Sequence, residues 1–133
     1  VVGAKAKGSA AERELLDILF SHGFAVIRAA GSGSTSHDAC DLVAGKAGRA
    51  FAIEVKACVN GKQYISAAQM QELQMFSTAF GAEPIVAVKW TRKGWTVAPA
   101  DKVKQTGKHF GITQTEMTPL AEWLAHVTTN NSQ

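Results

Sequence analysis

Residues 40–57, CDLVAGKAGRAFAIEVKA, restrict this chain more than any other stretch. Two apolar segments, at about 40–44 and 50–57, flank GKAGR, whose glycines suit a hairpin turn, so the pair reads as two adjacent antiparallel strands. In the second, Phe51, Ile53 and Val55 fall on one face, and Ala50, Ala52, Glu54 and Lys56 on the other. The alternation fixes the register. The register in turn sets two carboxylates and an ammonium, Asp41, Glu54 and Lys56, into sequence that otherwise builds core. The small Ala50 and Ala52 leave room beside Glu54 and Lys56 for something to approach.

The flanking sequence supplies helices and further strands. GSAAERELLDILFSHG carries Leu15, Leu16, Ile18, Leu19 and Phe20 at helical spacing, with Ser9 as the expected N-cap and Gly23 as the stop. FAVIRAA, 24–30, is strand-forming and runs into the loop GSGSTSHD. After a Gly/Asn turn, SAAQMQELQMFSTAFG is a second amphipathic helix with Ser66 and Gln69 at capping-box spacing. PIVAVKWT and WTVAP pair around RKG, and TPLAEWLAHV is a last helix with Thr118 as N-cap and Pro119 at its first position. The order α-β-β-β-α-β-β-α, with hairpins and one helical crossover between the third and fourth strands, predicts an α/β fold, a mixed central sheet flanked by helices.

The 133 residues suit a single domain over 1–133, with a flexible basic N-terminus at about 1–8 and a frayed polar tail at about 128–133. No apolar run approaches the ~20 residues of a membrane span, and VVGAKAKGSAAERELL lacks the apolar segment of a signal peptide, so a cytoplasmic protein with no membrane partner is expected. Cys40 and Cys58 are too few for a disulfide framework and lack zinc-ligand spacing, which leaves them as small buried residues. The net charge is +3, and basic residues group early, at Lys5, Lys7, Arg13 and Arg28, and late, at Lys102, Lys104, Lys108 and His109, compatible with a polyanionic partner.

Two hard carboxylates a few ångströms apart repel each other unless a cation lies between them, and the oxygen chemistry of Mg²⁺ suits them. A lysine beside that cation can orient a water or stabilise a phosphorane-like transition state, so the trio suggests metal-assisted attack of water on a phosphodiester. The same residues also fit ordinary polar positions of a half-solvated hairpin, with Asp41 as a strand-start residue. Glu12 stands three after Ser9, the spacing of a capping-box partner. Gln69 is either the capping partner of Ser66, which is favoured, or an outer-sphere metal ligand. His37, near Asp38 and Asp41, reads as a solvated loop histidine rather than part of a metal cluster.

Asp41 with Glu54-Val55-Lys56 resembles the PD-(D/E)xK signature of restriction-endonuclease-like nucleases, with Cys40 where a proline is usual. KAKGSAAERELLDILFSHGFAVIRAAGSGS narrows the likeness to the archaeal Holliday junction resolvases, and FAVIRAAGS, DLVAG, IEVKA and PIVAVKW follow in that family's order over residues 5 to about 97. The resemblance implies a restriction-endonuclease-like fold and a structure-selective endodeoxyribonuclease. Its activity would resolve four-way DNA junctions by paired symmetric nicks through Mg²⁺-dependent hydrolysis, with Mn²⁺ able to substitute. By the same resemblance Asp41 and Glu54 are metal-binding carboxylates, Glu12 is an additional acidic residue at the metal, Lys56 is the catalytic lysine and Ser32 a loop serine that assists cleavage.

Arg13 and Arg28 match basic residues that contact phosphates, and the basic leader adds Lys5 and Lys7. The loop at 31–38 carries no lysine or arginine, where relatives carry several basic residues. A C2 homodimer would supply two active sites for a substrate with approximate two-fold symmetry, and Met70, Leu73, Phe76 and Phe80 form a stripe that serves the core and, by resemblance, a dimer interface. A sliding clamp or recombination proteins are partners by family analogy alone, since TTNNSQ holds no convincing clamp-binding motif, and the setting is the nucleoid. Two alternatives stay open: a restriction-type duplex endonuclease, for whose base-reading element little length remains, and a non-catalytic junction-binding module.

Overall fold

The computed structural model describes residues 4–29, 37, 39–59 and 61–130, without the side chains of 4–7 and 128–130. Ser32, the side chains of Lys5 and Lys7, the rest of the 31–38 loop apart from His37, and the side chains or whole residues of the 128–133 tail lie outside that description.

The hairpin forms as β2 (Leu42–Lys46) and β3 (Arg49–Cys58), paired antiparallel from Leu42 with Ile53 to Lys46 with Arg49. Its turn is tighter than GKAGR, because Gly45 and Lys46 belong to the strand. Only Ala47 and Gly48 turn the chain, at φ 50° and 85°, the left-handed pair whose twist matches that of the flanking strands. β1 (Ala25–Arg28) adds antiparallel to β2, with Arg28 opposite Leu42. The crossover helix α2 (Ala67–Phe80) returns the chain so that β5 (Glu83–Trp90) lies parallel to β3, Glu54 opposite Val86 and Lys56 opposite Val88. β6 (Gly94–Pro99) and the two-residue β9 (Thr118–Pro119) complete a mixed sheet of order β1-β2-β3-β5-β6-β9.

Each face of this sheet is buried differently. Phe51, Ile53 and Val55 meet Leu15 and Leu19 of α1 (Ala4–Ser21) and Leu124 and Val127 of α3 (Leu120–Asn130). On the other face, Ala52, Val86 and Val88 meet Met70 and Leu73 of α2 together with Ile65 and Ile112. The period-two pattern of β3 thus supplies both cores, and Glu54 and Lys56 occupy the α2 side where that core opens.

Three expectations change. First, α1 starts at Ala4, so Ser9 lies within the helix and is not its N-cap. The strong helix formers Ala4, Lys5, Ala6 and Lys7 carry the helix through that position, and the Ser9 hydroxyl accepts a bond from Arg28 Nη2 at 3.0 Å. Second, Thr118 and Pro119 are extended and pair with β6, and α3 begins one residue later. Third, a separate three-stranded sheet, β4 (Lys62–Ser66), β8 (His109–Thr113) and β7 (Lys104–Thr106), lies beyond the expected element order. Gly23 does stop α1, with φ 89° and Phe24 N–H donating back to Leu19 O.

Candidate active site

Asp41 sits where β1, β2 and β3 meet. Its main-chain N–H donates to Ile53 O at 3.0 Å, its carbonyl accepts from Ala29 N–H at 2.9 Å, and its Oδ2 accepts from Val55 N–H at 2.8 Å. One carboxylate oxygen is therefore fixed by backbone, and the side chain is nearly buried at 9 % exposure. Glu54, from the neighbouring strand, comes within hydrogen-bonding reach of Asp41. Burial, and then the Asp41 charge, push the Glu54 carboxyl up to about 8, against the lowering effect of the Lys56 ammonium. When no cation is bound, Glu54 therefore holds its proton far more tightly than an ordinary carboxyl.

Lys56 follows on the same face of β3, with Nζ 3.7 Å from Glu54 Oε2. The ammonium also donates to Gln69 Oε1 at 3.3 Å. Gln69 is at the same time the capping-box partner of Ser66: Gln69 N–H donates to Ser66 Oγ at 3.1 Å, and Ser66 N–H donates to Gln69 Oε1 at 3.2 Å. The expected cap is present, and the same oxygen anchors the lysine. Spacing revealed the first role; the second depends on how α2 packs on β3.

Glu12 reaches this region from α1, although its carboxylate is committed to Arg28, whose Nε lies 2.8 Å from Oε1. Burial, then the Asp41 charge, raise the Glu12 carboxyl above its ordinary value, while the Arg28 bond and charge and the Arg13 charge lower it. Glu12 therefore senses Asp41 without joining it. Arg28, expected at phosphates, is turned inward to Glu12 and Ser9, while Arg13 is exposed on α1.

Among the described residues no three His, Cys, Asp or Glu side chains converge on one metal position. Glu12, expected as an additional acidic residue at the metal, is held in this structure by Arg28, so Asp41 and Glu54 are the two carboxylates that meet. Two carboxylates fit Mg²⁺, which keeps several waters and commonly uses one or two carboxylates with substrate phosphate. The proton affinity of Glu54 points the same way, since a cation between the two groups would offset both the burial and the Asp41 charge that raise it.

Met70 and Leu73 are buried against the sheet and cannot face a partner, because the inner side of α2 is the side that packs. Phe76 and Phe80 stack at 5.5 Å between ring centroids, and Phe80 and Met75 are both about half exposed, at 56 % and 54 %. His37 is exposed. Cys40 and Cys58 are buried free thiols that donate to Leu42 O and Lys62 O, each at 3.2 Å, and burial pushes Cys40 up to about 11. Among the described residues no helix is long and apolar enough to cross a membrane.

The family described as archaeal Holliday junction resolvase (Hjc) matches residues 3–131. The chain is 41 % identical over 123 residues to crossover junction endodeoxyribonuclease Hjc of Archaeoglobus fulgidus, covering 92 % of this chain and 90 % of that relative. Against its namesake from Methanocaldococcus jannaschii, identity is 37 % over 106 residues, 80 % of this chain and 75 % of the relative. The solved structure of A. fulgidus Hjc, a Holliday junction resolvase, superposes with a TM-score of 0.81 at 37 % identity, covering 88 % of this chain and 99 % of that one. A bacterial homing endonuclease superposes over both whole chains with a TM-score of 0.62 at 13 % identity, a likeness of fold alone. The mixed sheet with three flanking helices is a restriction-endonuclease-like fold.

Proposed function

The chain belongs to the archaeal Holliday junction resolvase family, and on that premise we propose that it cuts four-way DNA junctions by paired, symmetric, metal-dependent hydrolysis of phosphodiesters. It is a crossover junction endodeoxyribonuclease, and the finer reading rests chiefly on one observation: Asp41, Glu54 and Lys56 meet on a rigid sheet, with the Glu54 carboxyl pushed up to about 8 by burial and by Asp41.

Hydrolysis joins a water oxygen to phosphorus and breaks the bond to O3′, leaving a 5′-phosphate and a 3′-hydroxyl that takes up a proton. Asp41 and Glu54 would hold Mg²⁺, which when bound would supply Lewis acidity and positive charge for the reaction. Asp41 is kept in place by the Val55 N–H, so the site needs little reorganisation. Lys56, aimed by Gln69 and beside Glu54, donates to the attacking water or to the phosphate oxygen on which charge develops. Glu12, paired with Arg28, is assigned by family likeness as an additional acidic residue that serves the metal directly or through water. Ser32 is assigned to cleavage by family likeness, and Lys5, Lys7 and Arg13 to phosphate contact.

Two sites related by a two-fold axis are needed for paired nicks, and a C2 homodimer provides them. The exposed Phe80 and Met75, with Phe76 stacked beneath, support α2 as that interface. Incubation with a synthetic four-way junction, a Y-shaped DNA and a linear duplex in Mg²⁺, resolved by denaturing electrophoresis, tests the proposal. Nicks at two symmetry-related positions of the junction are expected. Equal cutting of linear duplex would remove the structure-selective part.

A further inference from the structure

The small sheet turns one face inward, where Ile65 and Ile112 are buried, and one face outward. Lys62, Tyr64, Lys104, Thr106 and His109 are all exposed, and the register collects them: Tyr64 and Lys104 both lie opposite Gly111, and Ser66 and Thr106 both lie opposite His109. A Cβ on Gly111 would stand 3.6 Å from the Tyr64 ring, 3.7 Å from the Lys62 Cε and 3.1 Å from Thr106 Oγ1, so the glycine lets these side chains close over the strand. The Lys62 ammonium sits 5.3 Å from the Tyr64 ring centre, and His109 meets the ring edge at 6.2 Å between centroids. An aromatic ring steadies this cation. Lys104 lies 3.7 Å from Glu116, and Lys108 is exposed in the β7–β8 turn.

This face is continuous with the candidate active site. Ser66 ends β4, caps α2 and bonds to Gln69, which holds Lys56. Tyr64 is two residues back along the strand, roughly 7 Å from Ser66. An exposed sheet face carrying lysines, an imidazole and a tyrosine beside a phosphodiester-cutting centre has the charge to follow a nucleic-acid backbone.

We propose that the outer face of the second sheet, formed by Lys62, Tyr64, Lys104, Lys108 and His109, binds the phosphate backbone of the junction arm adjoining the cut strand. The inference rests on the nuclease reading above and adds a DNA contact separate from the basic leader and Arg13. It explains the late basic group, which the hydrolytic chemistry does not use.

The test measures binding of a labelled four-way junction over a range of salt for the wild-type chain, the double variant Lys62→Ala/Lys108→Ala, and Lys46→Ala as a single-charge control, compared per charge removed, at the far end of the β2–β3 hairpin. The double variant should bind at least about tenfold more weakly near 0.1 M salt, and its slope of log K against log salt should fall by about 2, while Lys46→Ala should stay near wild type. Unchanged affinity and slope in the double variant would overturn the proposal, as would an equal per-charge loss from Lys46→Ala. If the wild type neither binds nor cuts junctions, the nuclease reading fails first; if it does both and the double variant binds equally well, this inference alone fails.

Discussion

The ammonium of Lys56 and the carboxamide oxygen of Gln69 lie 3.3 Å apart across 13 residues of chain, and that oxygen also closes the capping box at the head of α2. Helix capping and lysine placement are thus one interaction. Gln69→Ala should cost about 1 kcal/mol of stability from the lost cap. It should lower the single-turnover cutting rate by about tenfold or more, with junction affinity within about twofold. Melting curves and quenched-flow cutting separate the two effects; an unchanged rate would show that Lys56 needs no such anchor.

Arg28 and Glu12 form a partly buried pair, and Arg28→Ala removes both the bond and the charge that lower the Glu12 carboxyl. Glu12 then titrates higher still. The substitution should therefore cost more at pH 8, on the order of 1–3 kcal/mol, than at pH 5, where Glu12 can take up a proton. Denaturant unfolding at both pH values measures this, and equal losses would contradict it. Glu12→Gln should slow single-turnover cutting by at least about tenfold with junction affinity little changed, as expected of an acidic residue that serves the metal directly or through water.

Glu54 has a folded-state value of about 8 against an ordinary value of 4.5. Because the folded state binds this proton more tightly than the unfolded state, its contribution is fully present below about 4.5 and is lost as pH rises toward about 8. Metal-free protein should lose melting temperature over that window. Glu54→Gln should flatten the slope and stabilise the protein at pH 8 and above. Mg²⁺ should bind more tightly as pH rises through the same window, up to about tenfold per unit, because it competes with the proton. Melts in chelator and in Mg²⁺ from pH 5 to 9 test the sign directly.

Phe80 projects from α2 stacked on the Phe76 ring. Phe80→Glu should shift the protein toward monomer in sedimentation velocity and convert paired cuts into single nicks. A dimer that persists with paired cutting would place the interface elsewhere.

The main sheet was legible where one period of side-chain alternation settles the matter. The β2–β3 hairpin follows from its apolar face, and α2 from Ser66 and Gln69, whose capping geometry is present. The second sheet was not legible, because KQYIS and HFGIT are short, with only two large apolar side chains each, and KQT is exposed throughout. Local spacing also misassigned Ser9 as a cap, since Glu12 three residues on satisfies the same pattern while its partner, Arg28, is set by tertiary packing. The stripe on α2 showed which residues are apolar but not that Met70 and Leu73 take the inward side. In the candidate site, the strand register carried Glu54 and Lys56, whereas the Gln69 anchor and the commitment of Glu12 to Arg28 depend on contacts between distant segments.

The central claim is that Asp41 and Glu54 hold the metal for junction cutting while other residues hold the DNA. The most direct test is Glu54→Gln, a near-isosteric change, measured for binding to a four-way junction and for its single-turnover cutting in Mg²⁺. The account predicts junction affinity within about threefold of wild type and a cutting rate lower by at least about a thousandfold. Cutting that survives within about tenfold would contradict it.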